Sequence, residues 1–158
     1  MSQRSRSRRK SKVVCSASVN SITPKFDAKW AVRVAANLFA GGQETTVRML
    51  SFALRMLAER SDLQEALRED RDLIPNFLEE MLRLESPIKA HFRMARHTTT
   101  LGGVTIPAGM SVMLVNGAAN RDPRRFDNPS DVRIDRENAR DQLAFSRGAH
   151  SCLGSSLA

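Results

Sequence analysis

Cys152 stands in the segment Phe145-Ser146-Arg147-Gly148-Ala149-His150-Ser151-Cys152-Leu153-Gly154. Cysteine binds a metal as its thiolate, a form that needs positive surroundings near neutral pH. A helix is expected over 153–158, and the backbone N–H groups at such a start favour an anion. Gly148 lets the preceding loop turn sharply against a flat partner, and Gly154 lets the new helix approach it closely. Phe145 is placed to shield the sulfur from water, while Arg147 and His150 are placed to meet carboxylates. A lone cysteine is often no more than a small buried hydrophobe. The neighbours of this one follow the needs of a metal ligand.

Two further segments carry groups that could do chemistry. In Ala40-Gly41-Gly42-Gln43-Glu44-Thr45-Thr46, two glycines inside a helix cost roughly 1 kcal/mol each relative to alanine. In return they let another group come close to the backbone. Glu44 and Thr45 place an acid beside an alcohol, a pair able to pass protons. The alternative is a surface acid next to a threonine bonded back to its own helix. In Glu80-Met81-Leu82-Arg83 the two charges stand at i and i+3 and share a helix face. Glu79 with Arg83, at i+4, would pair equally well.

The elements that must position these groups follow from periodicity and punctuation. No proline occurs between Pro24 and Pro75, which permits long helices. Apolar residues recur at helical spacing over 28–59, with Val47, Leu50, Leu54 and Leu57 as one stripe. Ser61-Asp62 is expected to cap a short helix reaching Glu69. A second helix is expected over 72–84, with Ile74, Phe77, Leu78, Met81 and Leu82 on its buried side, and Ser86-Pro87 ends it. Short strands are expected at 92–96, 98–101, 104–106 and 110–115. Gly102-Gly103 suits a two-residue hairpin turn, and Pro107-Ala108-Gly109 a second turn. From Asn120 to Ala144 the chain is polar and irregular, a stretch that usually functions or covers something.

Composition sets the outer limits. The 158 residues carry 25 Lys plus Arg against 17 Asp plus Glu, a net charge of +8, with 41% apolar residues and 5% aromatics. That suits one globular domain or part of a larger one, and no apolar run is long enough to span a membrane. Cys15 and Cys152 are the two cysteines, so a disulfide framework and four-cysteine zinc sites are excluded. Arg4, Arg6, Arg8, Arg9, Lys10 and Lys12 concentrate positive charge at the start, and no acid precedes Asp27. Residues 1–27 therefore form a basic leader, expected to be disordered. Its composition also suits a nucleic-acid arm or a transit peptide, but no aromatics are interleaved for base stacking. Nucleic-acid binding is not expected.

Phe145, Gly148, Cys152 and Gly154 fit every fixed position of Phe-x-x-Gly-x-x-x-Cys-x-Gly, and here the chain resembles the cytochrome P450 family. The resemblance implies a mainly α (α+β) partial fold. Its parts are a long distal helix, a Glu-x-x-Arg helix, small β hairpins, a meander and a cysteine haem loop, all within 28–158. It implies haem b with Cys152 as the thiolate ligand to iron. Gly41 and the segment around it resemble the oxygen-activation segment, with Glu44 and Thr45 as the catalytic acid–alcohol pair. Glu80 and Arg83 resemble the buried structural pair that locks the meander. A third basic partner usually joins them; Asp131 stands at its position, and Arg133, Arg125 and Arg124 remain open as substitutes. Arg93, six residues after Pro87, and His150 would bind the haem propionates. Leu38, Ile88, Lys89 and Ala90, together with His91, would border the substrate pocket. Ala119-Asn120-Arg121-Asp122-Pro123 resembles the turn that opens the meander in bacterial members, where Arg121 could equally be a solvated charge.

The reaction so implied is monooxygenation of a small organic substrate by O2, with electrons from a ferredoxin or flavodoxin-type donor, in the cytoplasm and without a membrane. The resemblance begins near Ala28, and family members are normally more than twice this length. Much of the lid, the sheet and the closing strand pair is therefore expected to be missing, leaving the second side of the distal helix facing water. Three readings stay open: a truncated monooxygenase, a non-catalytic remnant binding haem weakly or not at all, and a small basic interaction protein. By itself the chain is expected not to turn over substrate.

Overall fold

The computed structural model describes residues 27–156. The expected basic leader lies outside the described residues, Asp27 excepted. The chain divides into two units at Ala36, and every residue discussed as a site candidate lies in the second, from Asn37 onward.

Helix α1 runs over Ala28–Glu59. In the first unit the Asp27 carboxylate accepts a hydrogen bond from the Lys29 N–H at 2.9 Å, closing the first turn as an N-cap does. The Arg33 guanidinium lies over the Trp30 ring.

In the second unit, α1 continues to Glu59 and is followed by α2 (Ser61–Glu69), a 3-10 turn (Arg71–Leu73) and α3 (Ile74–Glu85). The core forms where these helices meet. Ala53, Leu63, Leu67, Phe77, Met81 and Leu84 are buried together, with Met49, Phe52, Met56 and Leu57 packed against them. Each large apolar side chain fully buried there contributes about 1.5–3 kcal/mol. Of the stripe Val47, Leu50, Leu54 and Leu57, Leu57 packs against this core while the other three are exposed. The helices α2 and α3 cover the neighbouring face through Ala53 and leave most of that stripe open. Leu38 and Phe39 are exposed on the same helix, as the expected water-facing side requires.

The helix ends differ in detail from the expectation. The N-cap of α2 is Arg60, not Ser61 or Asp62, and no side chain caps it. Instead the Arg60 guanidinium takes both Asp62 carboxylate oxygens. Gln64 Nε2 donates to the Leu57 carbonyl at 2.6 Å, satisfying a C-terminal acceptor of α1. Helix α3 begins two residues later than expected, after the 3-10 turn, with Pro75 in its first turn, where a missing N–H costs nothing. Ile74 lies at this end and is exposed rather than buried. Ser86 closes α3 with φ +37°, and its N–H bonds to the Leu82 carbonyl.

The strands form two antiparallel pairs: β1 (His91–Met94) with β4 (Ser111–Leu114), and β2 (Thr99–Leu101) with β3 (Val104–Ile106). Gly102 and Gly103 both have positive φ in the β2–β3 turn, the conformation that two-residue hairpins demand. The short helix α4 (Asn116–Ala119) follows β4. Beyond it the chain is irregular except for 3-10 turns at Ala139–Asp141 and Gly148–His150. The helix expected over 153–158 does not form within the described residues, where 153–156 are turns.

Candidate functional site

The meander shows how a stretch without regular structure stays ordered. Glu80 and Arg83 are fully buried on α3, joined by two bonds of 2.7 Å. A third group completes the cluster: Arg136 Nε meets the two Glu80 oxygens at 3.0 and 3.1 Å. None of the candidates weighed from the sequence supplies that side chain. Arg133 reaches Glu80 only through its backbone N–H, at 3.2 Å, and Arg125 and Arg124 pair with Asp141 and Asp122 instead. Burial pushes the Glu80 carboxyl up, but hydrogen bonds from Arg83 and Arg136 outweigh it and hold the group below the usual glutamate range.

The two guanidiniums do more than neutralise one carboxylate. Arg83 donates to the carbonyls of Asn120, Pro129 and Asp131, and lies 5.1 Å from the Phe126 ring centroid. Arg136 donates to the carbonyls of Asp127, Asn128 and Asp131. Main-chain carbonyls of an irregular segment with no strand or helix partners thus find donors in two buried guanidiniums. Asn76 on α3 adds bonds to the carbonyls of Ile134 and Arg136. Arg121 is exposed, as the reading of a solvated charge has it, and its guanidinium also donates to the Leu84 carbonyl at 2.9 Å, at the C-terminus of α3. Asp122 beside it is held down to about 2 by a hydrogen bond from Arg124.

The cysteine loop leaves this meander at Ala144. Ser146 and Gly148 both take positive φ, +59° and +80°. The chain doubles back so that the Cys152 N–H reaches the Phe145 carbonyl at 2.9 Å. Phe145 is half-buried, and the Cys152 thiol is free and exposed. Gly154 packs near it, with the position of an added Cβ 3.9 Å from Cys152 Sγ. His150 is exposed in the 3-10 turn just before the cysteine.

On α1, a Cβ at Gly41 or Gly42 would meet nothing within 4 Å, so the notch opens on space. Glu44 and Thr45 turn to their own helix: the Glu44 carboxylate pairs with Arg48 at 2.6 Å, and the Thr45 hydroxyl donates to the Gly41 carbonyl at 2.6 Å. On β1, Arg93 is exposed and donates to the Phe92 carbonyl. His91 shares a strand face with it by the two-residue alternation, and His91 Nε2 is buried without a hydrogen-bond partner among the described residues. Ile88 is exposed, Ala90 half-buried, and Lys89 pairs with Glu85 at 3.1 Å.

These features fit an iron porphyrin. An accessible thiol is a soft donor for iron, and guanidinium and imidazole side chains like those of Arg93 and His150 are the kind that pairs with carboxylates. The unpartnered His91 nitrogen is a polar atom still lacking its counterpart on the Arg93 face. The family profile "Cytochrome P450" matches residues 9–158. Cytochrome P450 144 of Mycobacterium tuberculosis is 40% identical over 134 residues, which are 85% of this chain and 31% of that protein. The substrate-free cytochrome P450 CYP150A6 of Mycobacterium marinum superposes with a TM-score of 0.78 at 56% identity, covering 80% of this chain and 31% of that one. CYP109E1 of Bacillus megaterium, solved with corticosterone, gives a TM-score of 0.79 at 34% identity, over 83% of this chain and 35% of that one. The chain belongs to the cytochrome P450 family, a family of haem-thiolate monooxygenases, and carries part of the fold of its bacterial members. It spans about a third of the length of the relatives it matches. No helix among the described residues is long and apolar enough to cross a membrane.

Sequence reasoning missed Arg136 and the asparagines of α4. Asn120 stood in a motif already singled out, whereas nothing local marks Arg136.

Proposed function

We propose that this chain supplies the cysteine-ligand loop and the oxygen-side helix segment of a haem-thiolate monooxygenase acting on a small organic substrate. One observation carries the reading: in a member of this family, an exposed Cys152 thiol sits at the end of a loop whose turns are fixed by Ser146 and Gly148. Haem b, when bound, supplies the iron that activates O2 for insertion of one oxygen atom, with a thiolate ligand promoting O–O cleavage. Cys152 Sγ would be that ligand, and Arg93 and His150 would hold the propionates. Phe145 would keep water from the sulfur, while Gly148 and Gly154 let the loop lie close and Gly41 keeps the opposite side clear.

Thr45 is anchored by donating its proton to the Gly41 carbonyl, which leaves its oxygen free to accept from a bound water. Glu44 is held by an exposed i,i+4 pair worth only about 0.3–0.5 kcal/mol. Release from Arg48 is therefore cheap, and the carboxylate can turn to relay a proton. Leu38, Ile88, Lys89 and Ala90 would border the substrate. A ferredoxin or flavodoxin-type protein would deliver the electrons, and the cytoplasm is the proposed location.

A second reading, a non-catalytic partial P450 with weak haem binding, is favoured by the exposure of Leu38, Val47, Leu50 and Leu54 on α1. Exposed apolar faces of this kind invite association. A ferrous-CO difference spectrum of the haem-loaded chain separates the two. The monooxygenase reading expects a Soret band at the thiolate position that disappears in Cys152→Ala. No band in the parent favours the second reading, and an unchanged band in the variant would show that another residue ligates. Substrate turnover by the isolated chain is expected to be undetectable; any product would contradict that.

A further inference from the structure

We propose that Asn116 and Asn120, the first residue and the C-cap of α4, are the positioning residues of the Cys152 loop. Together they hold both main-chain polar groups of one residue. Asn120 Oδ1 accepts from the Leu143 N–H at 2.7 Å, and Asn116 Nδ2 donates to the Leu143 carbonyl at 3.0 Å. One helical turn of α4 thus takes the place of a strand partner for a residue that has none.

The clamp is rooted on one side and connected to the cysteine on the other. Asn120 is fully buried; its Nδ2 donates to Ser86 Oγ at 2.8 Å, and its carbonyl receives Arg83 Nη1 at 2.8 Å. The end of α3 and the buried ion cluster therefore fix the asparagine that fixes Leu143. Gln142 adds a second tie, donating to Glu79 Oε2 at 3.1 Å while its Oε1 accepts from the Ala144 N–H. Downstream, the Leu143 carbonyl also accepts from the Ser146 N–H at 2.9 Å, closing the turn that carries the positive φ of Ser146. Two residues after Leu143, the Phe145 carbonyl takes the Cys152 N–H. A shift at Leu143 moves both the turn and the acceptor that sets the cysteine backbone.

The consequence for iron ligation rests on the reading of Cys152 as haem ligand; the clamp itself is a property of the chain without haem. Amide hydrogen exchange on the full chain, free of haem, tests it. Asn116→Ala is expected to speed exchange at Ser146 and Cys152 about five- to tenfold, the worth of one hydrogen bond, while the α3 amides from Phe77 to Leu84 keep their rates. Asn120→Asp, which preserves an acceptor for the Leu143 N–H, is expected to protect that amide better than Asn120→Ala does. Unchanged exchange at Cys152 in Asn116→Ala, equal loosening of α3, or the reverse order of the two Asn120 variants each overturns the proposal. In the haem-loaded chain, Asn116→Ala is expected to shift part of the ferrous-CO spectrum from the thiolate to the neutral-thiol position. If the loaded parent itself lacks a thiolate band, the ligand reading fails, and faster exchange in Asn116→Ala still supports the clamp.

Discussion

Glu80→Gln is expected to lower the unfolding free energy by about 3–5 kcal/mol, the usual consequence of removing one member of a buried ion pair. Small domains have about 5–15 kcal/mol in total, so the variant loses a large share of it. The physical reason is that Arg83 and Arg136 stay buried with their positive charges and no counter-ion. Their carbonyl partners along the meander hold the guanidiniums in place and keep them from swinging out to water. Urea unfolding reads the effect as a lower midpoint at unchanged slope. Glu79→Gln is the control, since Glu79 is only half-buried and meets Gln142 through one bond. A Glu80→Gln midpoint equal to that control would show that the cluster is not what holds the meander. Acid gives a second reading. The Glu80 carboxyl lies below its unfolded value, so its contribution is complete above the unfolded value and disappears as pH falls through the lowered folded one. Glu80→Gln is therefore expected to flatten the acid limb of the stability profile.

The cysteine loop and the hairpins were legible because their signals are local. Gly102 and Gly103 announce a turn that only residues tolerant of positive φ make well, and both take it. Gly148 announces its own sharp turn in the same way. Arg136 was not legible: it meets Glu80 across 56 residues of chain, and no periodicity links an irregular segment to a helix face. The asparagines of α4 stand at the i,i+4 spacing of a helix surface, but their shared partner is a main chain, which leaves no side-chain pattern to read. For α1 the period gave a helix but not which of its faces is covered. Val47, Leu50 and Leu54 form as apolar a row as Met49, Phe52, Ala53 and Met56, and only the placement of α2 and α3 decides which row is covered.

Replacing both glycines of the α1 notch separates helix stability from the proposed oxygen chemistry. Each glycine in a helix interior costs about 1 kcal/mol relative to alanine, and neither site has a neighbour within 4 Å that a methyl would strike. Gly41→Ala with Gly42→Ala is therefore expected to stabilise α1 by about 2 kcal/mol in the haem-free chain, seen as more helical signal retained at a given urea concentration. The Thr45 hydroxyl bonds to the Gly41 backbone carbonyl, so that anchor survives the change. If the open notch is where dioxygen lies in the loaded protein, the same two methyls occupy its space. One methylene of misfit in a binding site is worth about 1–3 kcal/mol, so CO affinity of the loaded chain is expected to fall at least about tenfold. The two effects have opposite signs, and simple destabilisation cannot produce both. A variant that gains helix stability and binds CO as the parent does would remove the glycine notch from the oxygen site and leave it as an ordinary weak point of a long helix.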